Sequence, residues 1–399
     1  MFVPGVTGSE LEDERRDTVV WGRGWQLLFP RDGGRALALP LAPELASSDT
    51  LEEGAVLREI ELLFISRPIY GPLLEAMTAA GYVLGDPQHP QPGATLYPFG
   101  YDWRLDLVET AANLDDLLER IAAANDRDEI DLVCQSNAAR ICRWIVKYGG
   151  SPLPLADDPR RRPERSYRID RLVLVGASNG GAVRTLRELD RGRRYLPAGR
   201  RMTPETLASM PSLFGDLPSG TARLFVDESG RPVDLDLYDA TTWLVRGWSI
   251  FKGRSQDRLD PPDRRRRFGS LEDQLHALQE ALDRARAANA ALAAEVSDLG
   301  SVSIYQILNL SQPTPSRIVV GPRGRLLFAG DRRVERDADL LALVSEPGDG
   351  HATASSQRAL SAQERAALVE TVEIDGGHFQ VALDPELHTT LLRFLSRDR

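Results

Sequence analysis

With two cysteines in 399 residues, this chain has too few to be a disulfide-built scaffold, so a packed core must hold it together. Cys134 ends a strand-like run, and Cys142 lies two turns into the helix-like segment after it. That spacing reads as poorly placed to bridge, so two reduced, buried thiols are expected, as suits a cytosolic setting. No apolar run approaches the length of a membrane span, which excludes a transmembrane helix on this reading. The opening Met1-Phe2-Val3-Pro4-Gly5 has no basic n-region and no apolar h-region, so no signal peptide is expected and a cytoplasmic location is. Excess positive charge is also lacking. The formal net charge is −10, which argues against a nucleic-acid partner.

An ordinary apolar fraction of 42% allows a sizeable core: one large α/β domain with insertions, or two smaller domains. Strand-like and helix-like segments alternate, which predicts a mostly parallel sheet with crossover helices on both faces. Predicted strands include Thr95–Phe99, Ile130–Val133, Ile169–Val175, Val302–Leu308 and Thr371–Ile374. Predicted helices include Ser66–Ala80, Leu107–Asn125, Ala139–Tyr148 and Pro385–Ser396. The alternation breaks between about 185 and 300. The expected organisation is a core over 1–184 with a lid segment near 12–60, a cap over 185–300 carrying a long helix at 270–299, and resumed core over 301–399. Ser270 with Asp273 resembles a capping box for that long helix. Arg317–Val320 and Arg325–Phe328 read as a hairpin. The basic clusters Arg160–Arg162 and Arg264–Arg267 read as solvated loop charge, with peripheral contact to anionic lipid as the alternative.

The chemistry starts at Cys134-Gln135-Ser136-Asn137-Ala138. A short apolar strand runs into small-x-Ser-x-small and then into a helix, the pattern of a nucleophile elbow. The alternative for Ser136 is an ordinary helix N-cap. An acid and a histidine follow in the order Ser, Asp, His. Asp349 lies between two glycines, where the alternative is a plain Gly-Asp-Gly turn. His378 lies in Asp375-Gly-Gly-His-Phe379, after the last predicted strand. The other four histidines, His89, His276, His351 and His388, read as surface residues. Ser136 would attack, His378 would take its proton and Asp349 would orient the base. The backbone N–H groups of Asn137 and Val6, the latter in Pro4-Gly5-Val6-Thr7-Gly8-Ser9, would form the oxyanion hole. Such a mechanism needs no metal and no organic cofactor.

Several separated stretches together resemble the lecithin:cholesterol acyltransferase family, which includes lysosomal phospholipase A2. They are Pro4-Gly5-x-x-Gly8-Ser9-x-Leu11-Glu12, Trp21-Gly22, Tyr97-Pro-Phe-Gly-Tyr-Asp-Trp-Arg104, the elbow, Gly176-Ala-Ser-Asn-Gly-Gly181, Pro211-Ser-Leu-Phe214, Gly348-Asp-Gly350 and Asp375-Gly-Gly-His378. The resemblance implies an α/β-hydrolase fold and cleavage of acyl esters, often of phospholipids, through an acyl-serine, with some members passing the acyl group to an alcohol. It assigns Ser136, Asp349 and His378 to the triad, and Val6 and Asn137 to the oxyanion hole. It also places Trp21 against the acyl chain, with Tyr101 and Trp103 as further substrate-contact candidates. The chain departs from the pattern at Gln135, where histidine is usual, at both elbow glycines, and at His351-Ala-Thr after Gly-Asp-Gly.

The leading expectation is therefore a serine-dependent esterase or lipase-like hydrolase with a lipid-like small-molecule substrate. The alternatives are a catalytically inactive α/β-hydrolase-fold binding protein that docks through the 270–299 helix, and a membrane-associated acyltransferase.

Overall fold

The structure, a computed structural model, describes residues 1–23, 33–40, 49–62, 65–153, 165–194, 201–252 and 269–396. The basic clusters at 160–162 and 264–267 lie outside these residues, as do most of the 152–165 loop and parts of the 12–60 lid.

Five strands form the central sheet: β1 (Phe2–Val3), β2 (Glu129–Gln135), β3 (Arg168–Val175), β4 (Ser303–Leu308) and β5 (Leu368–Glu373). They lie side by side in chain order, and every neighbouring pair is parallel. Tyr97–Phe99 supports the outer side of β1: Phe2 N donates to Tyr97 O, and Phe99 N donates to Phe2 O. The predicted Thr95–Phe99 strand is thus reduced to isolated bridges. The principal helices are α1 (Gly71–Ala79), α2 (Leu107–Asn125), α3 (Ala138–Tyr148), α4 (Val183–Arg191), α5 (Leu271–Ala293) and α6 (Pro385–Leu395).

Strand alternation sends neighbouring side chains into two cores. Val133, Val173, Val175, Tyr305 and Ile307 pack with residues of α1 and α6. Leu132, Cys134, Leu172, Leu174 and Ile304 pack with residues of α2 and α3. Both faces are covered at the centre of the sheet, which is why β2 and β3 carry the apolar runs Leu132–Cys134 and Leu172–Val175, whereas the edge strand β5 alternates. This is an α/β-hydrolase fold.

The predicted helix over Ser66–Ala80 is instead a strand, Ile65–Pro68, followed by α1. Pro68 disfavours helix in the residue before it, and Gly71-Pro72 supplies a fresh helix start. The hairpin forms as read, with Val319 opposite Leu327, but it belongs to a small separate sheet with Phe225–Val226. Ser270 and Asp273 form both bonds of the capping box that opens α5.

At its other end α5 is held by α3. Lys147 Nζ donates to Leu292 O at 2.9 Å and Ala294 O at 2.6 Å, and the Tyr148 hydroxyl donates to Ala291 O at 2.7 Å. These carbonyls have few partners within their own helix, and a cation there opposes the negative end of the helix dipole. Glu364 balances the buried charge, accepting from Arg143 at 2.6 and 2.7 Å. The helix that follows the candidate nucleophile thus also seats the 271–293 segment.

Cys134 and Cys142 form a disulfide, with Cα atoms 6.5 Å apart. This corrects the reading of two reduced thiols. The turn at Ser136 folds α3 back against β2, so positions eight residues apart become neighbours within bridging range. The bond removes the reduced-thiol reading that was one of the two grounds for expecting a cytosolic setting. Among the described residues no helix is long and apolar enough to cross a membrane. Alkylation of the unfolded, unreduced protein is expected to label neither cysteine, and labelling of both would contradict the bridge. Cys142→Ser is expected to lower the unfolding free energy by ~2 kcal/mol for a loop this short, measured by denaturant titration.

Candidate active site

Ser136 follows the last residue of β2 with φ of 61°, a left-handed conformation that a non-glycine residue adopts only under constraint. Its N–H donates to Val175 O at 2.9 Å, tying the turn to β3. Ala138 and Ala139, both fully buried, let α3 start close to the sheet. Gly5 lies directly against the serine. A Cβ on Gly5 would come within 2.9 Å of Ser136 Cβ and of Gln135 Oε1, so only glycine fits there.

The structure brings the three candidate triad residues together. Ser136 Oγ is 2.6 Å from His378 Nε2, and His378 Nδ1 is 2.7 Å from Asp349 Oδ2. Asp349 follows the strand Ser345–Gly348, and its other oxygen accepts from the N–H groups of His351 at 2.8 Å and Ala352 at 2.7 Å. His378 N in turn donates to Asp349 O at 3.0 Å. All three side chains are buried.

Burial pushes the Asp349 carboxyl up, but the His378 ring and the backbone donors outweigh it and hold the group below the ordinary carboxylate range. Asp349 is therefore an acceptor. His378 must then carry its proton on Nδ1, which leaves the Nε2 lone pair facing the serine hydroxyl. Burial holds the imidazole below the ordinary histidine value, and this outweighs the opposing pull of Asp349. The base is thus poised neutral.

Val6 and Asn137, the two expected oxyanion donors, both adjoin this point: Val6 follows Gly5, and Asn137 follows Ser136. Neither N–H has a hydrogen-bond acceptor among the described residues. The aromatic residues expected to contact substrate are instead buried, and each donates to a carbonyl of the 4–9 loop. Tyr101 Oη reaches Pro4 O at 3.0 Å, Trp21 Nε1 reaches Thr7 O at 3.1 Å and Trp103 Nε1 reaches Ser9 O at 3.2 Å. Their rings brace that loop. Arg104 locks the neighbouring segment through Asp102 at 2.6 Å and Asp49 at 2.9 Å, which explains why an acid and an arginine flank Trp103.

Four groups escaped sequence reasoning: Gln135, Tyr70, His351 and Asp216. Gln135, noted only as a departure, accepts from the Tyr70 hydroxyl at 2.6 Å and from Gly5 N at 3.3 Å, and donates to His378 O at 3.1 Å. Burial pushes the Tyr70 phenol up, keeping it a donor at neutral pH. His351 is not a surface residue. It is buried, its ring centroid lies 4.5 Å from that of His378, and its Nε2 is 3.0 Å from Asp216 Oδ2. Nothing in the local sequence marks Tyr70 or Asp216. His351 was visible only as an unexpected residue after Gly-Asp-Gly. Among the described residues no group of acids, histidines and cysteines could hold a metal ion.

No family model matches this chain, and no curated protein matches it. Among solved structures, the crystal structure of the Tle4–Tli4 complex contains a chain that aligns over 100% of this one and 98% of its own length, with a TM-score of 0.53 and 12% identity. At that identity the likeness is one of fold.

Because His378 sits below its ordinary value of about 6.5, the acid limb of kcat/KM for an ester is expected to have its midpoint below that pH, with activity lost as pH falls through it. A midpoint above 7 would contradict the assignment. Gln135→Ala leaves the buried Tyr70 hydroxyl without its acceptor and is expected to destabilise the fold by about 1–3 kcal/mol, read by thermal or chemical unfolding.

Proposed function

We propose that this chain is a serine-dependent acyl-ester hydrolase that works through an acyl-Ser136 intermediate. The observation that carries the reading is the continuous hydrogen-bonded path from Ser136 Oγ through His378 to Asp349, at 2.6 and 2.7 Å, with the serine on a left-handed turn. The bridged rings of a structural histidine cluster would not require the serine to hold that backbone conformation.

The steps follow from the geometry. Ser136 Oγ bonds to the ester carbonyl carbon as its proton passes to His378 Nε2. The charge that develops on the carbonyl oxygen is held by the N–H groups of Val6 and Asn137, and Asp349 stabilises the imidazolium. Collapse breaks the bond to the leaving alkoxide, which takes the proton from Nε2 and departs as an alcohol. Water or a second alcohol then gives a proton to Nε2 and attacks the acyl carbon; collapse breaks the bond from that carbon to Ser136 Oγ, which takes the proton back from Nε2 as the acid or new ester leaves. Every proton and bond is accounted for by these residues and the two substrates.

Membership of the lecithin:cholesterol acyltransferase-like group remains part of the proposal. It is supported by the ordered motifs, and in particular by the role that the Tyr101-Asp-Trp-Arg104 run plays in bracing the loop of Val6. Lipid-like esters are the substrate class that follows from this membership, with transfer to alcohols as a second outlet for the acyl-enzyme.

The test is a panel of chromogenic esters of graded acyl length, run on wild type and on Ser136→Ala. The expected result is turnover by wild type and a loss of at least about 10³-fold in kcat for the variant, with little change in thermal midpoint. Equal rates would refute the nucleophile. No turnover by a folded wild type on any ester would favour a binding protein instead.

A further inference from the structure

The reaction as written uses His378 and Asp349 and leaves a second histidine–carboxylate pair unexplained beside them. Asp216 lies just after the short helix Pro211–Gly215 and is buried. It accepts from Ser178 Oγ at 2.6 Å, from Thr185 Oγ1 at 2.6 Å and from His351 Nε2 at 3.0 Å. Burial pushes this carboxyl up, but His351 and the two hydroxyls outweigh it, so Asp216 stays ionised and accepts. His351 Nε2 therefore carries a proton. Its Nδ1 is buried with no hydrogen-bond partner. A proton on Nδ1 would make it an orphaned buried donor, the costlier kind of unmet group, so the arrangement fits a neutral ring with a bare lone pair there.

That neutral ring lies against the candidate base. The two centroids are 4.5 Å apart and the planes are tilted by 33°, so the rings are in contact. Both histidines are also tied to one carboxylate: Asp349 takes the His378 side chain on one oxygen and the His351 backbone N–H on the other. A neutral aromatic face attracts a cation placed over it, whereas a second cation at this separation in a buried site repels it. His378 becomes a cation only during the reaction.

We propose that His351, anchored by Asp216, is a positioning residue for the proposed hydrolysis, acting through His378: its neutral ring holds the base in line with Ser136 and stabilises the transient imidazolium. The inference rests on the reading of His378 as the base. Several charged groups face His351. Asp216 and Asp349 bond to it directly. Glu188 of α4 also faces it, already paired with Arg184 at 3.1 Å and Arg193 at 3.5 Å. Arg184 bonds to Gly350 O at 3.0 Å, and Arg140 faces Asp216 from α3.

His351→Gln keeps an N–H for Asp216 and removes the ring. The expected result is a loss of about tenfold in kcat with KM unchanged, and an acid limb of kcat/KM displaced to lower pH, because the His378 imidazolium loses the ring that stabilises it. An unchanged kcat and pH profile in the folded variant would overturn the proposal, because a purely structural histidine would alter stability alone. Histidine NMR titration of wild type and variant gives a readout independent of turnover. In wild type cross-relaxation between the two imidazole rings is expected, and in the variant His378 is expected to titrate at lower pH. Absence of that cross-relaxation in wild type would overturn the ring contact even if His351→Gln does not fold. If wild type hydrolyses no ester, the functional reading fails, while the NMR result still decides whether the two rings are in contact.

Discussion

One buried amide constrains the site more than any other group. Gln135 bonds to Gly5 N of the 4–9 loop, to the Tyr70 hydroxyl, and to the His378 carbonyl 243 residues away in the chain. Each of these bonds is modest once exchange with water is counted. Together they tie three segments, those of Gly5, Tyr70 and His378, to the residue before Ser136. Ser136 is the next residue, so whatever sets Gln135 also sets the serine. The left-handed turn and the missing Cβ of Gly5 follow from the same crowding, because the loop passes too close to admit a side chain.

The electrostatics follow the same logic of enclosure. Burial raises the cost of charge on every group near Ser136, and donors decide which groups stay charged regardless. Asp349 and Asp216 have enough donors to remain anions, while His378 does not have enough partners to remain a cation. A neutral base between an anion and a hydroxyl is the ground state that proton abstraction requires. Beyond the site, α3 couples the nucleophile turn to the 271–293 helix through Lys147 and Tyr148, and back to β2 through the Cys134–Cys142 bond.

Much of this was legible in the sequence where a local pattern has a local cause. The 3.6-residue apolar spacing of Leu107–Asn125, the capping box at Ser270 and the strand–serine–helix run at 136 depend on neighbours in the chain, and each appears where read. What escaped depends on how segments meet. Cys142 faces Cys134 only because the turn reverses the helix. Ser66–Ala80 has helical spacing, but its proline and glycine divide it into strand and helix. Trp21, Tyr101 and Trp103 look like substrate contacts by type, yet their donors are needed by the carbonyls of a loop nearly a hundred residues away for two of them. His351 reads as a surface residue in the sequence because its partner, Asp216, is 135 residues away and carries no motif.

The most direct test of the account is the site of covalent attack. Folded protein treated with a fluorophosphonate is expected to gain a single adduct, mapped by peptide mass spectrometry to Ser136, and to gain none after His378→Ala. A folded protein that takes up no adduct, or takes it up at another residue, would contradict the claim that this hydroxyl is the activated nucleophile.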